Sequence, residues 1–96
     1  MQYYVYILTN KTGSVLYTGM TNNLVRRTWQ HREKVVPSFA STYNATRLVW
    51  YEAGDSLEGA RFRERQIKAG SRARKLQLIQ MMNPKWRDLW DEIAGG

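Results

Sequence analysis

Aromatic and β-branched residues are dense at the start of the chain. Residues 3–9 form a run of this kind, which is typical of a β-strand. Residues 10–13 carry turn chemistry, with Asn first and Gly last, so residues 14–20 are predicted to return as the second strand of a hairpin. A similar run covers residues 46–52. The pattern therefore predicts a small three-stranded sheet.

Three helices are predicted around these strands. Residues 24–36, which follow a Thr-Asn-Asn capping sequence, form the first. The second follows a turn at residues 54–56 and runs to about residue 69, and Asp55 and Glu58 have the spacing of a capping box. The third spans residues 72–82 and ends at an Asn-Pro pair. The element order is thus predicted to be ββαβαα.

The chain has 96 residues, which suffices for one domain with a modest hydrophobic core. Because no internal repeat or linker interrupts it, residues 1–96 are predicted to form a single domain. Residues 37–44 are polar and predicted to be irregular, whereas the tail from residue 85, with Trp86 and Trp90, is expected to pack on the domain. The expected fold class is α+β, with a three-stranded antiparallel sheet flanked by three helices.

Several classes of protein are excluded by what the sequence lacks. It has no cysteine, which excludes disulfides, zinc–thiolate sites and cysteine nucleophiles. The N-terminus has no basic segment followed by a long apolar run, so no signal peptide is predicted. No apolar stretch approaches the roughly 18 residues that a membrane helix needs. We therefore expect a cytoplasmic protein with no membrane contact.

The formal net charge of +7 is concentrated in two predicted helical regions. Residues 61–75 hold seven basic side chains against one acidic one, and residues 21–36 hold four against one. Such surfaces gain from counterion release when they bind phosphates, although charge alone is also compatible with a solvated surface or an acidic membrane or protein partner. The candidates for nucleic-acid contact are Arg26, Arg27, Arg61, Arg65, Lys68, Arg72, Arg74 and Lys75.

The predicted hairpin places two tyrosines on one face. With residues 10–13 as the loop, Tyr6 lies directly opposite Tyr17 and Tyr4 opposite Gly19. Directly opposed Cβ atoms are about 4.5–5.5 Å apart, and such a pair is ordinarily sheet packing. Because a free phenol has a pKa near 10, a role as a base requires neighbouring cations.

The first predicted helix carries Arg27 and His31 on one border of its apolar face. That face is predicted to consist of Leu24, Thr28 and Val35, extended by Val25, Trp29 and Val36. Since a border arginine usually extends its charge to solvent, and a lone histidine is more often structural than catalytic, the helix alone does not assign a function.

Glu64 breaks the pattern of the second predicted helix. Leu57, Ala60 and Ile67 form an apolar stripe at helical spacing, and Glu64 falls inside it. A carboxylate that faces a core needs a partner. That partner is either a basic side chain such as Arg27 or a metal ion, and composition alone favours the salt bridge.

Taken together, these residues resemble the GIY-YIG nuclease superfamily. Residues 4–6 stand in place of the first triplet and residues 17–19 in place of the second, and each keeps its tyrosine. The sequence departs from the family at Tyr4, where Gly is usual, and at Thr18, where Ile is usual. The segment 60–68 resembles the family's glutamate helix. The segment 83–89 resembles the C-terminal signature of its small stand-alone bacterial members, the YhbQ-like group.

The resemblance implies roles for the hairpin and for Glu64. Tyr17 is expected to be the general base for an attacking water, or to position that water, with Tyr6 hydrogen-bonded beside it. Glu64 is expected to bind a single divalent cation, Mg²⁺ or Mn²⁺, that contacts the scissile phosphate. Together with Arg27 and His31, that cation could lower the pKa of a phenol.

The resemblance also implies roles for three further residues. Arg27 is expected to stabilise charge on the phosphate. His31 matches a position of His or Tyr in the family, as a proton relay or a phosphate contact. Asn83 matches the family's C-terminal asparagine more loosely, and on that match it is placed among the catalytic residues.

The resemblance implies a metal-dependent endonuclease that acts on nucleic acid, with DNA favoured over RNA. The alternative is a nucleic-acid-binding module of the same fold with little turnover. The small size favours this alternative, because catalytic domains of this superfamily are often fused to a targeting domain. For an isolated domain the open alternatives are weak binding, cleavage of branched or damaged DNA, and dependence on a protein partner. No base-reading element is recognisable, and we expect recognition of backbone and shape.

Overall fold

The computed structural model describes residues 1–35 and 37–95. Their elements confirm the predicted α+β class, and two short helices that were not predicted extend the order. Over this described part of the chain, every helix is too short or too polar to cross a bilayer. In chain order the elements are β1 (Tyr3–Thr9), β2 (Leu16–Thr21), α1 (Leu24–Arg32), α2 (Phe39–Thr42), β3 (Arg47–Gly54), α3 (Leu57–Ala69), α4 (Arg72–Met82) and α5 (Trp90–Ala94).

The sheet has the strand order β2-β1-β3, and both pairings are antiparallel. Strand β1 is therefore central, and alternate residues along it face opposite sides. One side packs on α3 and α4 through a cluster that includes Val5, Ile7, Trp50, Ala60, Ile67 and Ile79. The other side packs on α1, α2 and the tail through a cluster that includes Tyr6, Leu8, Leu24, Ala40, Leu48 and Leu89.

The predicted hairpin register is wrong by two residues. Tyr6 lies opposite Gly19, and Tyr17 lies opposite Leu8. The loop is longer than predicted because the side chain of Asn10 accepts a hydrogen bond from Val15 N at 3.1 Å, which delays the start of β2. Since side chains alternate with a period of two, the shift keeps both tyrosines on one face and makes them diagonal neighbours.

The buried face of α1 also differs from the predicted one. Its buried residues are Leu24, Thr28 and His31, so His31 faces the core and does not lie on a border. Val25 and Trp29, predicted to be apolar contacts, are 42% and 47% exposed. The predicted set of inward residues and the observed set both fit a helical period. His31 faces inward because the phenol of Tyr6, on the central strand, forms a hydrogen bond with its ring.

Helix α1 ends earlier than predicted. Its last residue is Arg32, and Lys34 has a φ of 55°, in the left-handed region that ends a helix. Val35, predicted to belong to the apolar face, is 53% exposed. Val36, predicted to be the last residue of this face, lies outside the described residues.

Two further local predictions are corrected. Helix α3 is capped by Ser56, whose hydroxyl accepts a hydrogen bond from Gly59 N at 3.0 Å, and not by Asp55 with Glu58. The segment 37–44, predicted to be irregular, contains α2, which begins with a reciprocal capping box between Ser38 and Ser41.

The tail after α4 is fixed to β3 and to α1. The carboxylate of Asp88 accepts hydrogen bonds from Leu48 N at 3.2 Å and from Arg32 Nη1 at 2.5 Å. Leu89 is buried, and its amide donates to the carbonyl of Leu48 at 2.8 Å. The Arg32 guanidinium also lies 5.1 Å from the centre of the Trp90 ring. These contacts close the side of the sheet that carries Tyr6.

Candidate active site

Tyr6 extends from the central strand across Gly19 of β2. A Cβ atom built on Gly19 would lie 2.4 Å from the phenolic oxygen of Tyr6, so the ring occupies the space that any larger residue would fill. Tyr6 is 2% exposed. Glycine is required at this position for close approach, and it lets the phenol of the central strand lie over the edge strand.

A hydrogen bond joins this phenol to α1. The Tyr6 oxygen and His31 Nε2 are 3.1 Å apart in a buried environment. Burial, followed by the charge of Arg27, lowers the pKa of His31 below its ordinary value. Burial, followed by the neighbouring Tyr17, raises the pKa of Tyr6. Both groups are therefore neutral at pH 7, so His31 is not a cation that could favour ionisation of a phenol.

Tyr17 belongs to a row of aromatic rings that leads from Tyr6 to the surface. Its ring centre is 6.4 Å from that of Tyr6 and 5.6 Å from that of His31. On its other side it stacks on Phe39, with centres 6.1 Å apart and ring planes 20° apart, and Phe39 lies 4.5 Å from Tyr43. We call Tyr6, Tyr17, Phe39 and Tyr43 the aromatic row.

Sequence reasoning missed Phe39 and Tyr43 as members of this site. They lie in the polar segment 37–44, which has no long hydrophobic pattern. The available signal was local: the two aromatic residues are four positions apart, and Ser38 precedes the first of them. This spacing places both rings on one side of a single helical turn.

Arg27 lies on α1 one turn before His31. It is half-buried and borders a polar cleft together with Arg26, Gln30 and Asn23. Its charge lowers the pKa of His31 and partly offsets the increase in the pKa of Tyr6. In residues 1–35 and 37–95 no carboxylate forms a salt bridge with Arg27. The guanidinium is therefore available to an anion that approaches the aromatic row.

Glu64 lies on α3 with its side chain 21% exposed, so it is partly rather than fully buried. Its stripe partners Ala60 and Ile67 are buried, whereas Leu57 is 36% exposed. The carboxylate forms a salt bridge at 3.2 Å with Lys68, one turn along the same helix. Its negative charge is the smallest contribution to the raised pKa of Tyr6, and it acts against the charge of Arg27, which lowers that pKa.

The donor set around Glu64 fits a hydrated hard cation. The described part of the chain contains no group of three or more His, Asp or Glu side chains that could enclose a metal ion. Mg²⁺ keeps several waters and is commonly held by one or two carboxylates, and a single partly buried carboxylate meets that requirement. A dehydrated, protein-enclosed metal does not fit these residues.

Asn83 is not brought into the hydrogen bonds around Tyr6. It is 4% exposed, and its amide nitrogen donates to the carbonyls of Val49 at 3.2 Å and Arg87 at 2.7 Å. Its amide oxygen accepts from Arg87 N at 3.0 Å. The side chain is therefore occupied in joining the end of α4 to β3 and the tail.

The predicted nucleic-acid contacts divide into two groups. Three have partners within the described residues: Lys68 pairs with Glu64, Arg72 donates to the carbonyl of Gly13, and Lys75 donates to that of Gly70. The others have no salt bridge to a carboxylate in residues 1–35 and 37–95. Apart from Arg27, these are exposed side chains: Arg26, Arg61, Arg65 and Arg74.

The arrangement combines proton transfer with anion binding. A neutral imidazole–phenol pair can accept and return a proton, and a second phenol, Tyr17, lies half-buried beside it. The charges of the Arg27 guanidinium, which has no carboxylate partner in residues 1–35 and 37–95, and of the Glu64 carboxylate both act on the Tyr6 phenol. These groups match the hydrolysis of an anionic ester.

Comparison with known families gives a match over most of the chain. Residues 2–77 match the model of the GIY-YIG catalytic domain. A UPF0213 protein from Syntrophus aciditrophicus is 45% identical over 85 residues, which are 85% of this chain and 93% of that protein. A UPF0213 protein from Clostridium perfringens is 38% identical over 90 residues, which are 94% of this chain and 96% of that protein.

A solved structure of a relative agrees with these sequence matches. The solution NMR structure of a UPF0213 protein from Bacillus halodurans is 33% identical in sequence and matches with a TM-score of 0.59. The match covers 95% of this chain and 96% of the other.

A relative from the archaeon Natronomonas pharaonis, also a UPF0213 protein, is 36% identical over 80% of this chain and 89% of that protein.

Proposed function

This chain belongs to the GIY-YIG catalytic domain family, and on that premise we propose that it is a metal-dependent endonuclease that hydrolyses phosphodiester bonds in nucleic acid, with DNA as the favoured substrate. One observation carries the proposal: Tyr17 and His31 both lie beside the phenol of Tyr6, and the charges of Arg27 and Glu64 both change the pKa of that phenol. Residues from three separate elements converge there.

Tyr17 is the proposed base. Tyr17 is half-buried whereas Tyr6 is 2% exposed, so Tyr17 is the one of the two phenols proposed to meet a water molecule. In the proposed reaction a water oxygen attacks phosphorus, the bond to the leaving oxygen breaks, and Tyr17 takes or directs the proton of the water. The raised pKa of Tyr6 keeps its hydroxyl protonated, which suits it to positioning and not to proton abstraction.

Arg27 and His31 have different proposed tasks. Arg27 is half-buried and free of carboxylate partners in the part of the chain that the structure describes, so its guanidinium is proposed to neutralise the phosphate as charge develops. His31 is 4% exposed and bonded to Tyr6, which favours the relay role over direct contact with phosphate. A neutral imidazole can accept a proton at one nitrogen and donate at the other.

Glu64 is the proposed ligand of one Mg²⁺ or Mn²⁺. When bound, such an ion supplies Lewis-acid stabilisation of the phosphate and the leaving oxygen. Lys68 forms a salt bridge with this carboxylate, and it is proposed to contact a phosphate when the carboxylate binds the ion. The exposed basic residues Arg61 and Arg65 lie on the same helix.

The proposal predicts which side chains cleavage requires. In a nicking assay with Mn²⁺ and labelled single-stranded, duplex and branched DNA, Glu64→Gln and Tyr17→Phe should each lower the rate by about 100-fold or more, because they remove the cation ligand and the base. Chelation of the metal should abolish cleavage by the unaltered protein.

Matched controls separate chemistry from folding. Glu58→Gln changes an exposed carboxylate in the first turn of α3, the helix that carries Glu64. Tyr4→Phe removes a phenol of β1 that is not assigned to the site. Both variants should cleave like the unaltered protein. Cleavage that is equal in Glu64→Gln, Tyr17→Phe and the unaltered protein would come from a contaminant and would refute the proposal.

A second candidate function is a nucleic-acid-binding module with little turnover, or one that depends on a protein partner for targeting. The salt bridge between Glu64 and Lys68 favours it, because the carboxylate already has a partner. Salt-sensitive DNA binding without cleavage for any metal or substrate would select this function. Cleavage lost in Glu64→Gln would exclude it.

A further inference from the structure

Phe39 and Tyr43 form an exposed aromatic pair beside the candidate active site. They are 51% and 50% exposed, and their ring centres are 4.5 Å apart. Both lie on or directly after α2, a single turn whose start is fixed by the capping box of Ser38 and Ser41. Two adjacent aromatic rings held in water by a fixed turn are typical of a binding surface and not of a core.

The pair is continuous with the candidate base. Phe39 stacks on Tyr17 with ring planes 20° apart, so the aromatic row extends from the buried Tyr6 outward to Tyr43. A flat group placed against Phe39 would therefore lie near the group on which Tyr17 acts, and Tyr43 extends the aromatic surface outward from there.

The charge around the pair favours a polyanionic partner. Residues 34–51 contain no acidic side chain, and they include Lys34 and Arg47. The ammonium group of Lys34 donates a hydrogen bond to the side chain of Asn44, which places a cation next to Tyr43. Exposed aromatic rings beside a cation are what proteins use to bind single strands.

We propose that Phe39 and Tyr43 stack an unpaired base of the strand whose phosphate is cleaved. The preferred substrate class is therefore nucleic acid with unpaired nucleotides near the scissile bond, because a base inside a continuous duplex has both faces covered by its neighbours. This inference rests on the proposed function, since it takes the phosphate to be bound beside Tyr17.

Fluorescence anisotropy with a labelled single strand and its matched duplex tests the stacking, with Glu64→Gln as the background so that cleavage does not interfere. Phe39→Ala and Tyr43→Ala should each weaken single-strand binding by about 5-fold to 100-fold, the range for loss of one base–aromatic stack. Duplex affinity should be nearly unchanged. Phe39→Trp should restore single-strand binding, because tryptophan also provides a stacking face.

Phe62→Ala is the matched control. Phe62 is 66% exposed and lies on α3, about 160° around the helix from Glu64, so its loss should leave both affinities unchanged. A single strand with abasic sites should bind the unaltered protein and Phe39→Ala equally, because it has no base to stack. Circular dichroism confirms that each variant is folded.

The outcomes distinguish this inference from the proposed function. Salt-dependent binding that Phe39→Ala leaves unchanged, or weakens equally for single strand and duplex, overturns the stacking proposal alone. Absence of salt-dependent binding to any strand overturns the proposed function as well. If sedimentation shows that the unaltered protein is an oligomer and that Phe39→Ala is a monomer, the pair is a self-association surface and the stacking proposal is wrong.

Discussion

His31 and Tyr6 form a pair whose burial holds both partners neutral. The pKa of His31 is lowered and that of Tyr6 is raised, in each case first by burial. Neither group is then a charged group enclosed without a counterion, which would be costly. One hydrogen can lie between them in either direction, so the pair can relay a proton without a change in net charge. Because its pKa is raised, Tyr6 is suited to relaying or positioning a proton and not to abstracting one.

The burial of this pair predicts how the single histidine of the chain titrates. Followed by NMR through its ring protons, His31 should titrate with a midpoint below the value of about 6.5 found in unfolded chains. Arg27→Gln should raise the midpoint only part of the way, because burial is the larger cause.

The same shift predicts how stability depends on pH. As pH falls through about 6.5, the unfolded chain binds a proton at His31 before the folded protein does, so folding becomes less favourable until the lower folded pKa is passed. The free energy of unfolding should therefore decrease between pH 7.5 and 5.5, and His31→Gln should lose this part of the slope. A midpoint at or above 6.5 would contradict the burial of a neutral imidazole.

At the scale of elements, local signals predicted some features and long-range contacts decided others. The bounds of α4 were predicted correctly because residues 72–82 lie between a serine cap and an Asn-Pro stop. The hairpin register was predicted wrongly because it depends on one side-chain hydrogen bond, from Val15 N to Asn10, that composition does not reveal. Helix α2 was missed because a single turn has no period to detect.

The candidate site was predictable to a similar extent. Tyr6, Tyr17, Arg27, His31 and Glu64 are assigned through the family resemblance, whereas periodicity alone puts His31 on a border of the apolar face and not inside it. Phe39 and Tyr43 could not be assigned, because only the fold brings them next to Tyr17. A salt bridge at Glu64 was the prediction that composition favoured, but its partner is Lys68 and not Arg27, since composition offered many cations.

Asn83 joins three elements, and this predicts a structural effect for its removal. Asn83→Ala leaves the carbonyl of Val49 and the amide and carbonyl of Arg87 without their side-chain partner. Buried groups left unpaired cost about 1–3 kcal/mol, so the free energy of unfolding in urea should fall by about 2–3 kcal/mol. Gln80→Ala, at an exposed position of the same helix, should have little effect.

A structural role and a catalytic role for Asn83 predict opposite effects of Asn83→Ala on cleavage. If it acts only in joining the tail, cleavage per folded molecule should be unchanged in Asn83→Ala. A variant with unaltered stability and lost cleavage would instead place Asn83 in the chemistry, as the family resemblance implies.

At the scale of the whole molecule, part of the net charge of +7 lies on α3, and the basic side chains are not evenly spread around that helix. With about 100° per residue, Arg61 and Lys68 lie within about 60° of Glu64, and Arg65 lies slightly farther round on the same side. Arg63 faces the other way, where it forms a salt bridge with Glu52 at 3.1 Å. The basic residues beside Glu64 therefore form one strip that continues the candidate site.

This asymmetry predicts the salt dependence of binding. Each phosphate that a basic side chain neutralises adds about 0.7 to the slope of log affinity against log salt for a single strand. Replacing both Arg61 and Arg65 by alanine should lower that slope by about 1.4 and weaken binding to all sequences alike. Arg63→Ala removes one charge from the same helix and should leave the slope unchanged, because its guanidinium is directed at Glu52. If Arg61→Ala and Arg63→Ala reduced the slope equally, the protein would attract nucleic acid by its net charge alone, and the strip beside Glu64 would have no special part in binding.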